Sequence, residues 1–355
     1  TFRWYSECSE MAHVHCVIIG FSDKNSLERQ KFIFDESGNR QFVQNINGYL
    51  LDLPNVFIES RKKPVCDVTE MVFGSMANDG RNLLIEADEY DDFIKNDPAS
   101  QKYIRQILGS EEYINGKKRF CLWLEDASPT EIKKIPPIYE RIKKVREFRL
   151  NSKRTATKKF AETPHLFAEI HQPKKNFILV PRVSSERREY IPMDFLDKNI
   201  IPSDANLMIP DAEIFHFGIL TSRVHMIWTK TFCGRLESRY RYSKDIVYNN
   251  FVWCECSEVQ RKKIEQTAQK ILDVRKKYMG DGKIESEKME SKNANSLSIF
   301  PSNQLSTSLA DLYDPLLMPK ELRDAHKKND LAVMEAYGFD KNFSEEEILA
   351  ALMNL

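Results

Sequence analysis

GRLESRYRYSKDIVYNNF, residues 234–251, follows an apolar-periodic run and reads as a strand with two unlike faces. With period 2, Glu237, Arg239 and Arg241 share one face and Leu236, Tyr240 and Tyr242 the other. The aromatic side needs a core beneath it. The run before it, residues 218–232, spaces Ile219, Leu220, Met226, Ile227 and Phe232 for a helix. Helix and strand in succession, repeated along the chain without a regular βα alternation, point to an α+β fold. The charged face meets either plain water or a partner that presents hydrogen-bond donors and acceptors in a fixed order.

Upstream, residues 1–45 read as β structure. Residues 14–21 are continuously apolar, as in a strand covered on both faces. Residues 35–39 read as a turn into a second strand near 42–46. Residues 73–84, FGSMANDGRNLL, form a loop, and an acidic stretch over 86–97 follows. Residues 98–108 are expected to be a helix ended by Gly109, and 119–124 a strand. Ile138, Ile142 and Val145 make one helix face with Pro137 in its first turn. Short strands are expected over 177–180, 190–192 and 207–209.

Downstream, Ser257 and Gln260 form a capping-box pattern ahead of Ile264, Ala268, Ile271 and Leu272. Residues 280–308, rich in Ser, Asn, Lys and Glu, read as a flexible insertion. Helices over 319–337 and 344–354 close the chain, the second with a Ser344/Glu347 capping box. The expected architecture is a mixed α/β domain, with a curved sheet flanked by helices, followed by a small helical C-terminal domain.

The 355 residues suffice for two or three domains. With 41% hydrophobic residues the chain should fold, and its zero formal net charge points to no partner by itself. Seven cysteines (Cys8, Cys16, Cys66, Cys121, Cys233, Cys254 and Cys256) show no framework spacing. They read as reduced thiols of a cytosolic protein. The apolar runs are too short to span a bilayer, and no signal peptide is visible. The chain opens on Thr1 and is strand-like within a few residues, so we expect a segment of a longer polypeptide.

No set of residues makes a convincing catalytic site. His13, His15 and Cys16, or Cys254 and Cys256, lack the partner pair that structural zinc requires. Glu131-Ile132-Lys133 matches half of a nuclease motif but opens a helix where a strand is needed. The carboxylates Glu86, Asp88, Glu89, Asp91 and Asp92 suit a solvated helix start. Asn249-Asn250-Phe251 lacks the prolines of the N-P-P-F/Y loop that holds a flipped adenine. No glycine-rich loop after a strand is placed to receive a nucleotide.

Basic residues, by contrast, add up. Residues 133–159 carry 11 Lys and Arg against Glu140 and Glu147. Arg182, Ser184, Ser185, Arg187 and Arg188 put guanidiniums and hydroxyls into one turn. Arginine can grip guanine bidentately and glutamate can accept from cytosine N4, so a lone Glu237 among arginines suits base reading.

Six ordered blocks carry a resemblance: FGSMANDGRNLL, YIRQILGSEEYINGKKRFCLWL, LVPRVSSERREYIP, FHFGILTSRVHMIW, GRLESRYRYSKDIVYNNF and SLADLYDPLLMP. Together they resemble the MmeI-like type II restriction–modification proteins. In that family one polypeptide holds a nuclease, an adenine-N6 DNA methyltransferase, a target recognition domain and a helical C-terminal domain. The resemblance implies closing methyltransferase strands over 1–46, a connector and target recognition domain over 47–255, and the C-terminal domain over 256–355. It implies double-stranded DNA as partner, and a preceding nuclease and methyltransferase part of the same polypeptide. S-adenosylmethionine and a divalent metal are then used by that part, with no cofactor in this segment, and the location is the prokaryotic cytoplasm. It places base reading at Glu237 and Arg239, just after the G-R-L, with further positions at Arg182 and Asp204. Lys153, Arg154, Lys158, Arg187, Arg188, Arg241 and Lys244 are then the phosphate ligands. The competing readings are a stand-alone metal-dependent nuclease or hydrolase using residues 86–92, and a subunit-interaction module docking through its apolar C-terminal helix.

Overall fold

The computed structural model describes residues 2–5, 13–23, 30–35, 37–279 and 307–355. Strands Phe2–Tyr5 and His13–Cys16 pair as one antiparallel hairpin, and Lys31–Phe34 and Arg40–Val43 as another. The second turn is tied by the Asp35 carboxylate, which accepts from Ser37 N at 2.9 Å and Asn39 N at 2.8 Å. Its closing strand starts two residues before the expected 42–46. The apolar run 14–21 is not one covered strand. It loses regular structure after Cys16, and Ile18 and Phe21 are 83% and 96% exposed. A doubly covered strand needs apolar surface on both sides, and no described residue supplies it.

The first of two cores is built on four strands in the order Ile201–Pro202, Ile104–Leu108, Arg119–Leu122, Leu84–Glu86. Leu83, Ile85, Cys121, Leu122, Ile138 and Val145 are buried together in it. The expected helix over 98–108 is instead a 3-10 turn, Pro98–Tyr103, followed by a strand. Ile104, Ile107 and Leu108 have helical spacing, but lateral pairing with Leu122 and Pro202 decides the conformation. Gly109 is extended and starts the next helix rather than capping the last. The acidic stretch does form a helix, Ala87–Asn96. Helix Pro136–Leu150 buries Ile138, Ile142 and Val145 as its spacing predicts, and on the same face it also buries Arg149.

The second core has strand order Asp194–Leu196, Phe177–Pro181, Asn206–Pro210, Val72–Phe73. All five residues of Phe177–Pro181 are buried, so both faces of that strand are covered. Residues 190–192 are buried but not a strand; pairing begins at Asp194. The run 218–232 breaks into two helices, Ile214–Leu220 and Arg223–Phe232. Ser222 caps the second, its hydroxyl accepting from His225 N, while Thr221 Oγ1 donates back to Phe217 O. Such local side-chain bonds compete with an unbroken helix.

Helices Glu258–Met279, Lys320–Ala336 and Glu345–Met353 pack onto this second core, so it runs without interruption past residue 255. Both expected capping boxes form. The insertion expected over 280–308 lies outside the described residues up to Ser306. A buried polar network ties the C-terminal helices to the sheet. Arg275 Nε donates to Tyr313 Oη at 2.6 Å, and Tyr313 Oη meets His326 Nε2 at 2.8 Å. Tyr190 stacks on His326 and donates to Asp330 Oδ2 at 2.6 Å.

Gly218 allows close crossing of two helices in this core. A Cβ there would lie 2.6 Å from Ile264 Cγ2 and 3.1 Å from Ala268 Cβ. Gly218→Val should therefore cost about 1–3 kcal/mol, read as a lower urea midpoint. An unchanged midpoint would contradict the crossing.

No helix among the described residues is long and apolar enough to cross a membrane.

Candidate nucleic-acid interface

The stretch 234–251 is not a single strand. Gly234–Leu236 and Arg239–Arg241 form a hairpin with Leu236 opposite Arg239, and Val183–Ser184 pairs on the far side of the second strand. Glu237 occupies the tight turn with φ at +57°. Glycine or asparagine is favoured in that conformation, so a glutamate there carries a backbone cost of about 1 kcal/mol. The turn breaks the expected alternation. Leu236 is 41% exposed and does not join the aromatic face. After the turn the alternation holds: Tyr240 and Tyr242 are buried, Arg239 and Arg241 exposed. Tyr242 Oη meets the buried His225 Nε2 at 2.9 Å, and Tyr242 N donates to Arg182 O at 2.8 Å. Those bonds hold the hairpin from below. At its tip, Arg239 Nη2 donates to Glu237 Oε2 at 2.8 Å, and both side chains are open to solvent.

Beside the hairpin lies a cleft of about 610 Å³ between the two cores. Arg182, Asp204, Leu236 and Arg241 line one side, and Ser110, Glu111, Glu112 and Arg119 the other. Arg182 leaves the end of strand Phe177–Pro181. Its Nη1 donates to the Asp204 carbonyl at 2.9 Å and its guanidinium lies 5.1 Å from the Phe73 ring centroid. The Nε and Nη2 edge of the fork remains unused by any described protein acceptor. Asp204 is exposed on a loop whose N–H donates to Ser75 O at 3.0 Å. Glu112 braces the opposite wall by accepting from Gly109 N at 2.9 Å and from Arg119 at 3.2 Å. Lys117 holds the Glu111 carboxyl below its ordinary range, so it is ionised.

The seven basic residues expected at phosphates divide. Lys153 and Arg154 are exposed after helix Pro136–Leu150, and Lys158 is exposed on the short helix Thr155–Lys159. Asn78 Nδ2 donates to Thr157 Oγ1 at 3.4 Å. That bond joins the helix to the 74–83 loop, whose Ser75 and Ala77 line the cleft. Arg241 enters the cleft itself. Arg187 lies 4.0 Å from Asp314, and Lys244 donates to Asp245 at 2.7 Å while lying over Phe73. Arg188 turns inward: burial lowers its pKa, against the pull of Asp314, and its Nε is buried without a partner among the described residues.

The adjacent asparagines are buried structural ties, not ligands. Asn249 Nδ2 donates to Arg61 O at 2.7 Å, and Asn250 Nδ2 to Glu59 O at 2.9 Å. Two of the five carboxylates at the acidic helix start are paired, Glu86 with Arg119 at 3.0 Å and Glu89 with Arg141 at 3.2 Å. Glu131 sits on a helix and accepts from Tyr103 Oη at 2.6 Å. Among the described residues no group of three His, Cys, Asp or Glu is placed to hold a metal ion.

Sequence reasoning missed the cleft wall of Ser110, Glu111, Glu112 and Arg119. Its local signal is Gly109-Ser110-Glu111-Glu112, which starts a helix after a strand instead of ending one.

Residues 52–255 match the family model described as MmeI, target recognition domain, and residues 282–355 match MmeI, C-terminal domain. DNA methyltransferase A of Bacillus subtilis (strain 168) is 38% identical over all 355 residues, which span 37% of that protein. A solved structure of the Type IIL restriction–modification enzyme MmeI in complex with DNA superposes with a TM-score of 0.85 at 40% identity. That match covers 99% of this chain and 44% of the MmeI chain. The chain thus spans less than half the length of the relatives it matches.

Proposed function

The chain belongs to the MmeI family, and from that premise we propose that it reads the base sequence of duplex DNA for a longer polypeptide that methylates adenine at N6. One observation carries the reading. Arg182, Asp204 and Arg241 share one cleft, and the hairpin that forms its edge presents Glu237 and Arg239 at its tip. These are guanidiniums and carboxylates, the groups that distinguish guanine and cytosine edges in the major groove. Arg239 and Arg241 sit on a strand anchored by the buried Tyr240, Arg182 follows the buried strand Phe177–Pro181, and Glu237 and Asp204 sit in the turn and crossover next to those strands. Lys153, Arg154 and Lys158 then hold phosphates and fix register without reading sequence.

Domain limits follow the same reading: closing strands of a methyltransferase domain over 1–46, recognition over 47–255, and the helical C-terminal domain over 256–355. The preceding part of the polypeptide flips the adenine and transfers the methyl group. The glycine-bearing turn over 74–83 does not suit the phosphate- or nucleotide-binding role of a cofactor loop. The turn after Val72–Phe73 carries Gly74 and Gly80 but leads into strand Leu84–Glu86, not a helix N-terminus. In this reading the methyl donor, and the metal of any nuclease step, act in the rest of a prokaryotic cytoplasmic enzyme.

The competing readings lose their footing. Of the carboxylates offered for a stand-alone nuclease, Glu86 and Glu89 are paired with Arg119 and Arg141, and among the described residues no group of three His, Cys, Asp or Glu is placed to hold a metal. The apolar face of the last helix is not free for docking: Ile348, Leu349 and Leu352 are buried within the chain.

Binding of the purified chain to mixed-sequence duplex DNA, titrated against salt, tests the proposal. The logarithm of the binding constant should fall linearly with log salt, and Lys153→Ala should lower that slope by about 1 while weakening all sequences alike. Binding indifferent to salt, or cleavage of the DNA once a divalent metal is added, would overturn it.

A further inference from the structure

We infer that Ser110 is a positioning residue for base reading, locking the loop that presents Asp204 to the opposite wall of the cleft. The inference rests on the base-reading role proposed for Asp204.

The chain crosses between the two cores in three residues. Ile201–Pro202 runs parallel to Ile104–Leu108 in the first sheet, and Asn206 opens strand Asn206–Pro210 in the second, opposite Pro181. Residues 203–205 make the crossing, with Asp204 and Ala205 exposed. A side chain that discriminates base edges must be held to about 0.5 Å, and a short exposed crossover has no such stiffness of its own. Its position must come from tethers on either side.

The tethers are visible. From the first core, Leu108 O accepts from Ser203 N at 2.9 Å. From the second, Arg182 Nη1 reaches the Asp204 carbonyl, while Arg182 N meets the Ala205 carbonyl only at 3.4 Å. Ser110 supplies the stronger hold on that same carbonyl: its Oγ donates to Ala205 O at 2.5 Å. The hydroxyl also lies 2.9 Å from Asn206 Oδ1. Asn206 Nδ2 donates to Leu108 O at 2.7 Å, which sets the amide so that Oδ1 faces Ser110. The single hydroxyl proton goes chiefly to the nearer Ala205 O and so ties the end of the crossover to the first core, while Asn206 is held there by its own bond to Leu108 O. Ser110 is itself anchored, because Glu112 bonds back to Gly109 N and to Arg119. Without the hydroxyl, the wall carrying Ser110 and the loop carrying Asp204 can shift against each other.

The test uses the intact polypeptide that carries this chain, with methylated positions mapped across host DNA by single-molecule sequencing. Ser110→Ala should relax discrimination about tenfold at one base pair of the methylated motif, the same pair that Asp204→Ala alters. Ser110→Thr, which keeps a hydroxyl, should restore it, and thermal midpoints should stay within about 2 °C of the parent. A merely structural role would lower the midpoint and weaken every position alike, and that result overturns the inference. If Asp204→Ala shifts the motif and Ser110→Ala does not, the positioning role fails while base reading stands. If neither changes discrimination at any position, the base-reading proposal fails and takes the positioning role with it.

Discussion

Reversing Glu237 and Arg239 together, as Glu237→Lys with Arg239→Asp, is expected to move the intact polypeptide to a different base pair at one position while methylation continues. The two side chains form an exposed ion pair at 2.8 Å on the hairpin tip. The double change keeps an ion pair of opposite polarity there, so the turn retains its internal partner. What changes is the order in which a donor and an acceptor meet the groove. Each well-placed contact to a base edge discriminates by about 1–3 kcal/mol, roughly 5- to 150-fold. The motif should therefore switch, not blur. The hairpin beneath is held by Tyr240 and Tyr242, which the change does not touch. Either single substitution instead puts two like charges side by side at the tip, and activity should drop on every sequence. The mapped motif decides the matter. If the double variant methylates the original motif at a reduced rate, or binds all duplexes equally weakly, these residues do not read bases.

Much of this fold is written in short-range chemistry. Ile138, Ile142 and Val145 announce their helix by spacing alone, and Ser257 with Gln260 announces the next start by its capping box. What was illegible depends on distant partners. Ile104, Ile107 and Leu108 are spaced as on a helix, yet Ile104–Leu108 is a strand because Arg119–Leu122 and Ile201–Pro202 flank it. Glu237 hides a turn because nothing about glutamate signals a left-handed backbone. The reading residues at 237 and 239 stood out by their chemistry. The wall facing them did not, since Ser110 meets Ala205 across 95 positions of sequence. Charge runs are the least legible: Lys153, Arg154 and Lys158 are exposed with no ion-pair partner among the described residues, whereas Arg187, Arg188 and Lys244, drawn from similar runs, are paired or turned inward.

Arg149 is the extreme case, and its replacement by methionine should destabilise the first core by about 3–5 kcal/mol. It falls four residues after Val145, on the apolar face of helix Pro136–Leu150, and is fully buried. No carboxylate forms an ion pair with it among the described residues. Its charge is balanced by five backbone carbonyls, one for each N–H of the guanidinium. Ala77 O and Asn78 O accept at 2.8 and 2.9 Å, and Phe160 O, Thr163 O and Leu166 O at 2.8, 3.1 and 2.8 Å. Three of these carbonyls have a second donor, from Ala168 N, Thr163 N and Leu166 N respectively. Among the described residues Asn78 O and Leu166 O, both half-buried, have no donor other than Arg149, and a carbonyl left unpaired away from water costs about 1–3 kcal/mol. Methionine fills much of the volume but satisfies neither. Lysine keeps the charge with three donors instead of five and no planar fork, so Arg149→Lys should recover only part of the loss. Arg146→Ala, exposed on the same helix, should stay within about 0.5 kcal/mol of the parent. Urea unfolding followed by tryptophan fluorescence measures all three, with Trp123 reporting the first core through its packing on Phe167. Arg149 also fixes the 74–83 loop that supplies Ser75 and Ala77 to the cleft, so Arg149→Lys should weaken sequence discrimination at urea concentrations where the core remains folded. A parental midpoint for Arg149→Met would show that the five carbonyls find water or other donors, and that this arginine does not organise the wall of the cleft.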